Sequence, residues 1–288
     1  MRLPLLVLGL LALFPALAGA VPMGAVEAVQ PPAWIDRGQR SVPLALGTEL
    51  QTGDVVRTGE GGRAYLRLAE GSVVKLGESA RMALYSRSLD PKRRLKAALD
   101  LGSGAFRFTT DTVGRATGRR DLTIRVVTAT IGIRGTDVWG RADPERDLVA
   151  LIEGQIELSR RGEALAITPM TYLDAPLNGV AEIKPLPPEL LSRLARQTEI
   201  APGDGAVRRG GPWMLVREGL SDQAAALELY DQLRELGVAV RIVPQRADTG
   251  WRYRLQLDGF ADQTEAAVLA ARIKAAGGPE LSPSRPER

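Results

Sequence analysis

Along residues 34–176 apolar and polar positions alternate in short runs. Ala64, Leu66 and Leu68 alternate with Arg63, Tyr65 and Arg67, the period of two that puts one face of a strand in a core and the other in water. Leu122, Ile124 and Val126 repeat the pattern, as do Leu148, Ala150 and Ile152. Short runs of this kind, broken by Gly-containing turns and without a helical period, predict an all-β domain, either a sandwich or a β-roll. Gly59-Glu60-Gly61-Gly62 reads as a hairpin turn between two such strands, with no helix behind it to make a phosphate cradle. Residues 91–99 resist the pattern and read as a short helix or an exposed basic hairpin tip.

From Trp213 the period changes to strand, helix, strand, strand, helix. Ala225, Leu229, Leu233 and Leu236 form a helical stripe that follows Ser221 and ends at Gly237. Asp262-Gln263-Thr264-Glu265 is a capping-box spacing ahead of Ala266, Leu269, Ala270 and Ile273. Both helices are expected to cover one sheet face. On the third strand Tyr253, Leu255 and Leu257 then point to the helices, which leaves Arg252, Arg254 and Gln256 on the open face. Met214 and Val216 of the first strand and Arg241 and Val243 of the second join them. Residues 279–283 contain two prolines and make a poor fourth strand. Between the two regions, Leu190, Leu191 and Leu194 predict a short helix after Pro185, Pro187 and Pro188. Gly- and Arg-rich residues 201–211 read as a flexible hinge that lets two domains move independently.

At the N-terminus, Arg2 precedes an apolar run over residues 3–18 that closes with Ala18-Gly19-Ala20. A charge, a short apolar core and a small-x-small site make a Sec signal peptide, whereas an anchor needs about 20 apolar residues. Cleavage after Ala20 is expected to release a periplasmic protein with no transmembrane anchor. The 288 residues, 44% of them hydrophobic, suffice for two modest domains after that cleavage. The expected layout is a signal peptide at 1–20, the β domain at 34–176, a linker with a short helix at 177–211 and an α+β domain at 212–283.

The sequence contains no His and no Cys. Ser-His triads, thiol nucleophiles, His-ligated zinc, thiolate metal sites, disulfides and a lipid-bearing cysteine are therefore all excluded. Asp143, Glu145 and Asp147 read as solvated turn residues rather than an acid/base pair. No catalytic residue, metal or cofactor is indicated. The net charge is +4, yet residues 213–278 carry eight Lys and Arg against nine Asp and Glu. The positive excess lies upstream, and export leaves solubility or anionic envelope surfaces, not nucleic acid, as its use.

Longer segments resemble known families. Residues 50–59 (Leu-Gln-Thr-Gly-Asp-Val-Val-Arg-Thr-Gly), with 63–68 and 70–76 after them, look like the first half of a FecR domain. Residues 128–138 (Thr-Ala-Thr-Ile-Gly-Ile-Arg-Gly-Thr-Asp-Val) resemble that family's strand running into an Arg-Gly-Thr turn. The likeness spans 47–159. Eponymous FecR proteins pass a signal from an outer-membrane receptor to a cytoplasmic sigma factor, through a cytoplasmic head and a membrane span. Here a cleavable signal stands where that head would be, so the resemblance implies a periplasmic β module with a protein partner. Its motif residues Arg134, Gly135 and Thr136 suit a structural role, with Gly135 at an unusual φ/ψ and its neighbours holding the turn. A weaker internal echo pairs Glu70-Gly71 with Glu153-Gly154, each ahead of an apolar-polar-apolar strand.

The run Tyr253-Arg254-Leu255-Gln256-Leu257-Asp258-Gly259-Phe260 resembles the SPOR family, small βαββαβ modules of bacterial envelope proteins. That resemblance implies a ferredoxin-like α+β fold and binding to peptidoglycan glycan strands, at division sites where glycan stripped of stem peptides accumulates. The implied glycan-binding residues are Met214, Val216, Arg241, Arg252, Arg254 and Gln256. Val216 stands where the family commonly has Gln, with Glu218 and Leu220 after it. The function expected is a non-catalytic periplasmic tether that holds a FecR-like domain to the wall. The alternative is a signalling or scaffold protein whose β domain binds a protein and whose C-terminal module has lost glycan binding.

Overall fold

The computed structural model describes residues 22–88, 95–110, 121–248 and 250–286; the expected signal peptide and the basic residues 91–94 lie outside them. The β body runs through β1 (Gly24–Gln30), β2 (Ala33–Arg37), β3 (Arg40–Pro43), β4 (Glu49–Leu50), β5 (Val55–Thr58), β6 (Arg63–Leu68), β7 (Val73–Leu76), β8 (Arg81–Ser88), β9 (Leu95–Thr109), β10 (Asp121–Arg125), β11 (Ala129–Ala142), β12 (Arg146–Arg160), β13 (Glu163–Leu165), β14 (Thr171–Pro176) and β15 (Glu182–Pro185).

The pairings form two stretches of sheet. One runs β3-β2-β5-β8 to the first half of β9, then through β10 and the first half of β11. The other runs β1-β6-β7 to the second half of β9, then through the rest of β11 to β12, β14 and β15. The long strands β9, β11 and β12 pass between them. At each crossing sits a glycine with positive φ: Gly104 at 80°, Gly135 at 79° and Gly154 at 85°. A side chain at Gly104 would run into Ala80, and one at Gly154 into the Gly135 carbonyl, so these bends need glycine for space as well as for φ. Leu66, Val74, Leu84, Phe106, Ile124 and Val138 fill the shared core. The predicted apolar sets Ala64, Leu66, Leu68 and Leu122, Ile124, Val126 are all buried.

Several expectations need correction. β1 pairs with β6 along its length although it lies upstream of residue 34. Leu95 to Leu99 begins a strand, not a helix. Residues 59–62 are no hairpin, because β5 pairs with β2 and β8 while β6 pairs with β1 and β7. They carry the chain between the two stretches of sheet. Glu70-Gly71 does close a hairpin, β6 to β7, but Glu153-Gly154 lies inside β12, paired with Asp137 and Thr136 of β11 beside a register shift, so the two are not like turns. Tyr65 is buried rather than wet. β12 is covered on both faces: Val149 joins the main core, and Ala150 joins a second cluster with Trp139 under α1 (Pro188–Thr198). That helix is the one predicted, and Leu194, with Leu190 and Leu191 beside it, is its buried stripe.

Beyond β16 (Val207–Arg208) follow β17 (Trp213–Leu220), α2 (Gln223–Glu235), β18 (Arg241–Ala247), β19 (Gly250–Phe260), α3 (Gln263–Ala275) and β20 (Ser282–Ser284). They form an antiparallel sheet in the order β20-β17-β19-β18. Asp222 caps α2 by accepting from the Ala224 and Ala225 amides, and Asp262 caps α3 through the Glu265 amide. Leu233, Ala266, Leu269 and Ile273 of the helices share a core with Leu215, Leu255 and Leu257. The fourth strand does form. Pro283 is tolerated opposite Leu215 because β20 is the sheet edge and needs no donor there.

The stretch expected to be a hinge is anchored. β16 pairs with β1 on one side and meets Phe260 of β19 on the other, so one short strand joins both sheets. The buried Glu265 carboxylate accepts from the amides of Gly203 (2.7 Å), Gly205 (2.6 Å) and Ala206 (3.1 Å). Pro32 and Trp34 pack on Gly237 at the end of α2. The Arg234 guanidinium donates to the Ser41 carbonyl at 3.1 Å, and Arg272 to that of Pro31 at 3.3 Å. The core is continuous across this seam.

Candidate functional site

Residues directly opposite in an antiparallel pair share a face, and the register of the C-terminal sheet uses this to line up the expected site. Val216 lies opposite Gln256, and Gln256 opposite Arg241; Arg254 lies opposite Val243, and Arg252 opposite Gln245. Met214 lies opposite Asp258. All six proposed glycan contacts therefore sit on the face away from the helices. They are not equally accessible: Met214 is 4% exposed, Val216 4% and Gln256 5%, whereas Arg241 and Arg252 are exposed. Of the six, only Arg241 and Arg252, four residues apart along β19's register with β18, stand open to solvent.

The polar groups on this face are arranged as a chain. Gln256 donates its amide to Asp258, which also takes the Arg241 guanidinium at 2.8 Å. Arg254 reaches Glu218 at 3.4 Å, and its Nε has no partner; nor does the Gln256 carbonyl oxygen. Guanidinium and carboxamide groups alternating with short carboxylates offer the donors and acceptors that hydroxyl and acetamido groups require. Asp258 and Glu218 were missed as members of the face. The same alternation that placed Arg254 and Gln256 there extends two residues further to Asp258.

The Arg134-Gly135-Thr136 segment is not a turn. It is a bulge inside β11, where the register with β12 shifts between Ile133 and Thr136. Gly135 takes the positive φ anticipated for it. Thr136 donates its amide to the Thr110 hydroxyl and accepts the Thr110 amide, both at 3.0 Å, while exposed Arg134 pairs with Glu157 on the next strand. Asp137 beside them holds the half-buried Arg107 at 2.6 Å. These contacts fix the bulge. Among the described residues no cluster of His, Cys, Asp and Glu could hold a metal, and no helix is long and apolar enough to cross a membrane.

Residues 54–157 match the FecR protein family, and residues 209–281 match the SPOR domain. The chain combines a FecR domain with a C-terminal SPOR domain. The FecR match begins just before β5 and ends within β12, so it contains all three strand crossings and the bulge at Gly135. The SPOR match takes in β17 to α3 and stops before β20. Two crystal structures of a candidate anti-sigma factor from Parabacteroides distasonis are similar at 14% and 13% identity. Each comparison covers 81% of this chain and 99% of the other, with a TM-score of 0.40. No curated protein matches.

Proposed function

We propose that this is a non-catalytic periplasmic protein whose SPOR domain binds peptidoglycan glycan strands and so tethers the FecR domain to the cell wall, at division sites where stripped glycan accumulates. The observation that carries the reading is the SPOR match over 209–281, coinciding with a sheet face on which Arg241, Arg252, Arg254 and Gln256 line up. The strand order β20-β17-β19-β18, with both helices on the other face, supports a ferredoxin-like module. The FecR domain, in this reading, presents the tethered protein to a partner in the envelope. A signal peptide cleaved after Ala20 delivers it there.

The test is co-sedimentation of the full mature chain with purified sacculi, before and after an amidase strips the stem peptides. The full chain is used because the SPOR domain shares β16 and its core with the β body. Pelleting should rise on stripped glycan and weaken roughly tenfold in Arg241→Ala/Arg252→Ala, as removal of charge-assisted hydrogen bonds predicts. Both positions are exposed, so folding is preserved. Absence of pelleting on either wall sinks the tether. The burial of Met214, Val216 and Gln256 favours one second reading, a scaffold whose C-terminal module no longer opens to glycan. That reading expects uniform envelope fluorescence rather than septal bands.

A further inference from the structure

A cleft on the outer face of β11 and β12, beneath α1, is used neither by the SPOR sheet face nor by the Gly135 bulge. Trp139, Leu148, Leu190 and Leu194 give it an apolar lining, and Arg146 and Arg193 bring two guanidinium groups to it. Trp139 is fully buried, yet its indole Nε1 meets no acceptor. Buried indole N–H groups normally have a partner. The two arginines differ. Arg146 reaches Asp174 at 3.4 Å, and Asp174 is also held by Lys184 at 3.0 Å. Arg193, exposed on α1, has no ion-pair partner among the described residues.

We propose that this cleft binds a small apolar carboxylate, with its hydrocarbon body against Leu148, Tyr172 and Leu190, above the buried Trp139, and its carboxylate on Arg193. A guanidinium matches the planar, two-oxygen geometry of a carboxylate and is less strongly hydrated than an ammonium. The Asp174 carboxylate beside Arg146 disfavours a dianion such as phosphate. A free acid and the C-terminal residue of a peptide offer the same chemistry, and the assay separates them.

The experiment is calorimetric titration of the full mature chain with phenylacetate, with N-acetyl-alanyl-phenylalanine and with the neutral phenylacetamide, followed also by tryptophan fluorescence. Saturable binding of either acid is expected, about tenfold or more weaker for the amide and about tenfold weaker in Arg193→Gln. Trp139→Phe keeps an aromatic ring beneath the cleft and abolishes the fluorescence change. Tighter binding of the acetylated dipeptide assigns the cleft to a chain terminus, and tighter binding of phenylacetate assigns it to a free acid. Absence of saturable binding by both acids overturns the proposal, as does binding that ignores Arg193→Gln or the loss of the carboxylate. Arg193 is exposed on its helix, and an unchanged melting curve for Arg193→Gln excludes misfolding as the cause of a loss.

Discussion

Glu199, the residue that ends α1, shows how much one side chain can fix. Its carboxylate accepts the Lys75 ammonium at 2.6 Å and the Tyr65 hydroxyl at 2.8 Å, with Arg107 at 3.4 Å. The Tyr65 oxygen in turn accepts the Ile200 amide at 2.6 Å. Burial pushes the Glu199 pKa up, but Lys75, Tyr65 and Arg107 together hold it below the ordinary value of 4.5. Because the folded pKa is the lower one, the unfolded chain takes up the proton first as the pH falls. The stabilisation is therefore complete above the ordinary value and lost as pH drops through the folded one. Asp36, lowered chiefly by its hydrogen bonds from Arg57, acts in the same direction. The urea midpoint should fall as the pH drops below the ordinary carboxylate range, and Glu199→Gln should remove part of that fall; an unchanged pH profile would refute the clamp. Glu265 makes the complementary case. Its spacing from Asp262 suggested a capping box, but only the Asp262 half forms, because the carboxylate is spent on three connector amides. Glu265→Ala leaves those amides without their acceptor and should lower stability by about 3 kcal/mol in urea unfolding.

The strand crossings govern the next scale. Gly154 and Gly162 have nearly the same φ, 85° and 87°, but only Gly154 has neighbours where a side chain would go. Gly162→Ala should therefore cost about 1 kcal/mol for conformation alone. Gly154→Ala adds a collision with the Gly135 carbonyl and should cost at least about 2 kcal/mol more, read as the difference between the two thermal denaturation curves. Equal losses would mean that the bulge adapts. The unusual φ of Gly135 was legible from its residue type. That it lies in a bulge was not, since a bulge exists only relative to the partner strand, here β12. Alternation found the core positions of β6 and β10 for the opposite reason: period two is a property of a single strand. It misjudged Tyr65, whose cover arrives from Glu199 and Ile200 far along the chain.

For the whole molecule, the seam around β16 replaces the independent motion suggested by the Gly- and Arg-rich connector. Composition measures how freely a segment moves when nothing holds it, and here Glu265, β1 and β19 all hold it. Calorimetry of the mature chain should accordingly give one unfolding transition. A β-carbon at Gly237 would stand 2.7 Å from the Trp34 ring, so Gly237→Val should wedge the seam and split that transition in two. Two transitions in the unmodified protein would restore the independent-domain picture. A rigid seam also bears on the tether, because a wall contact made by the SPOR face would then set the orientation of the FecR domain.

Sequence alone determined what is encoded locally or by absence: the β pattern, the βαββα order, the Asp262 helix cap, both family resemblances, and the exclusion of thiol and imidazole chemistry. Those follow from backbone period, capping chemistry and residue inventory, none of which needs a distant partner. Tertiary structure decided the rest. The edge position that admits Pro283, the bulge that needs Gly135, the burial of Met214, Val216 and Gln256, and the docking of the connector each depend on which remote segment packs alongside. Period fixes the face a side chain occupies, but only long-range packing decides whether water reaches it.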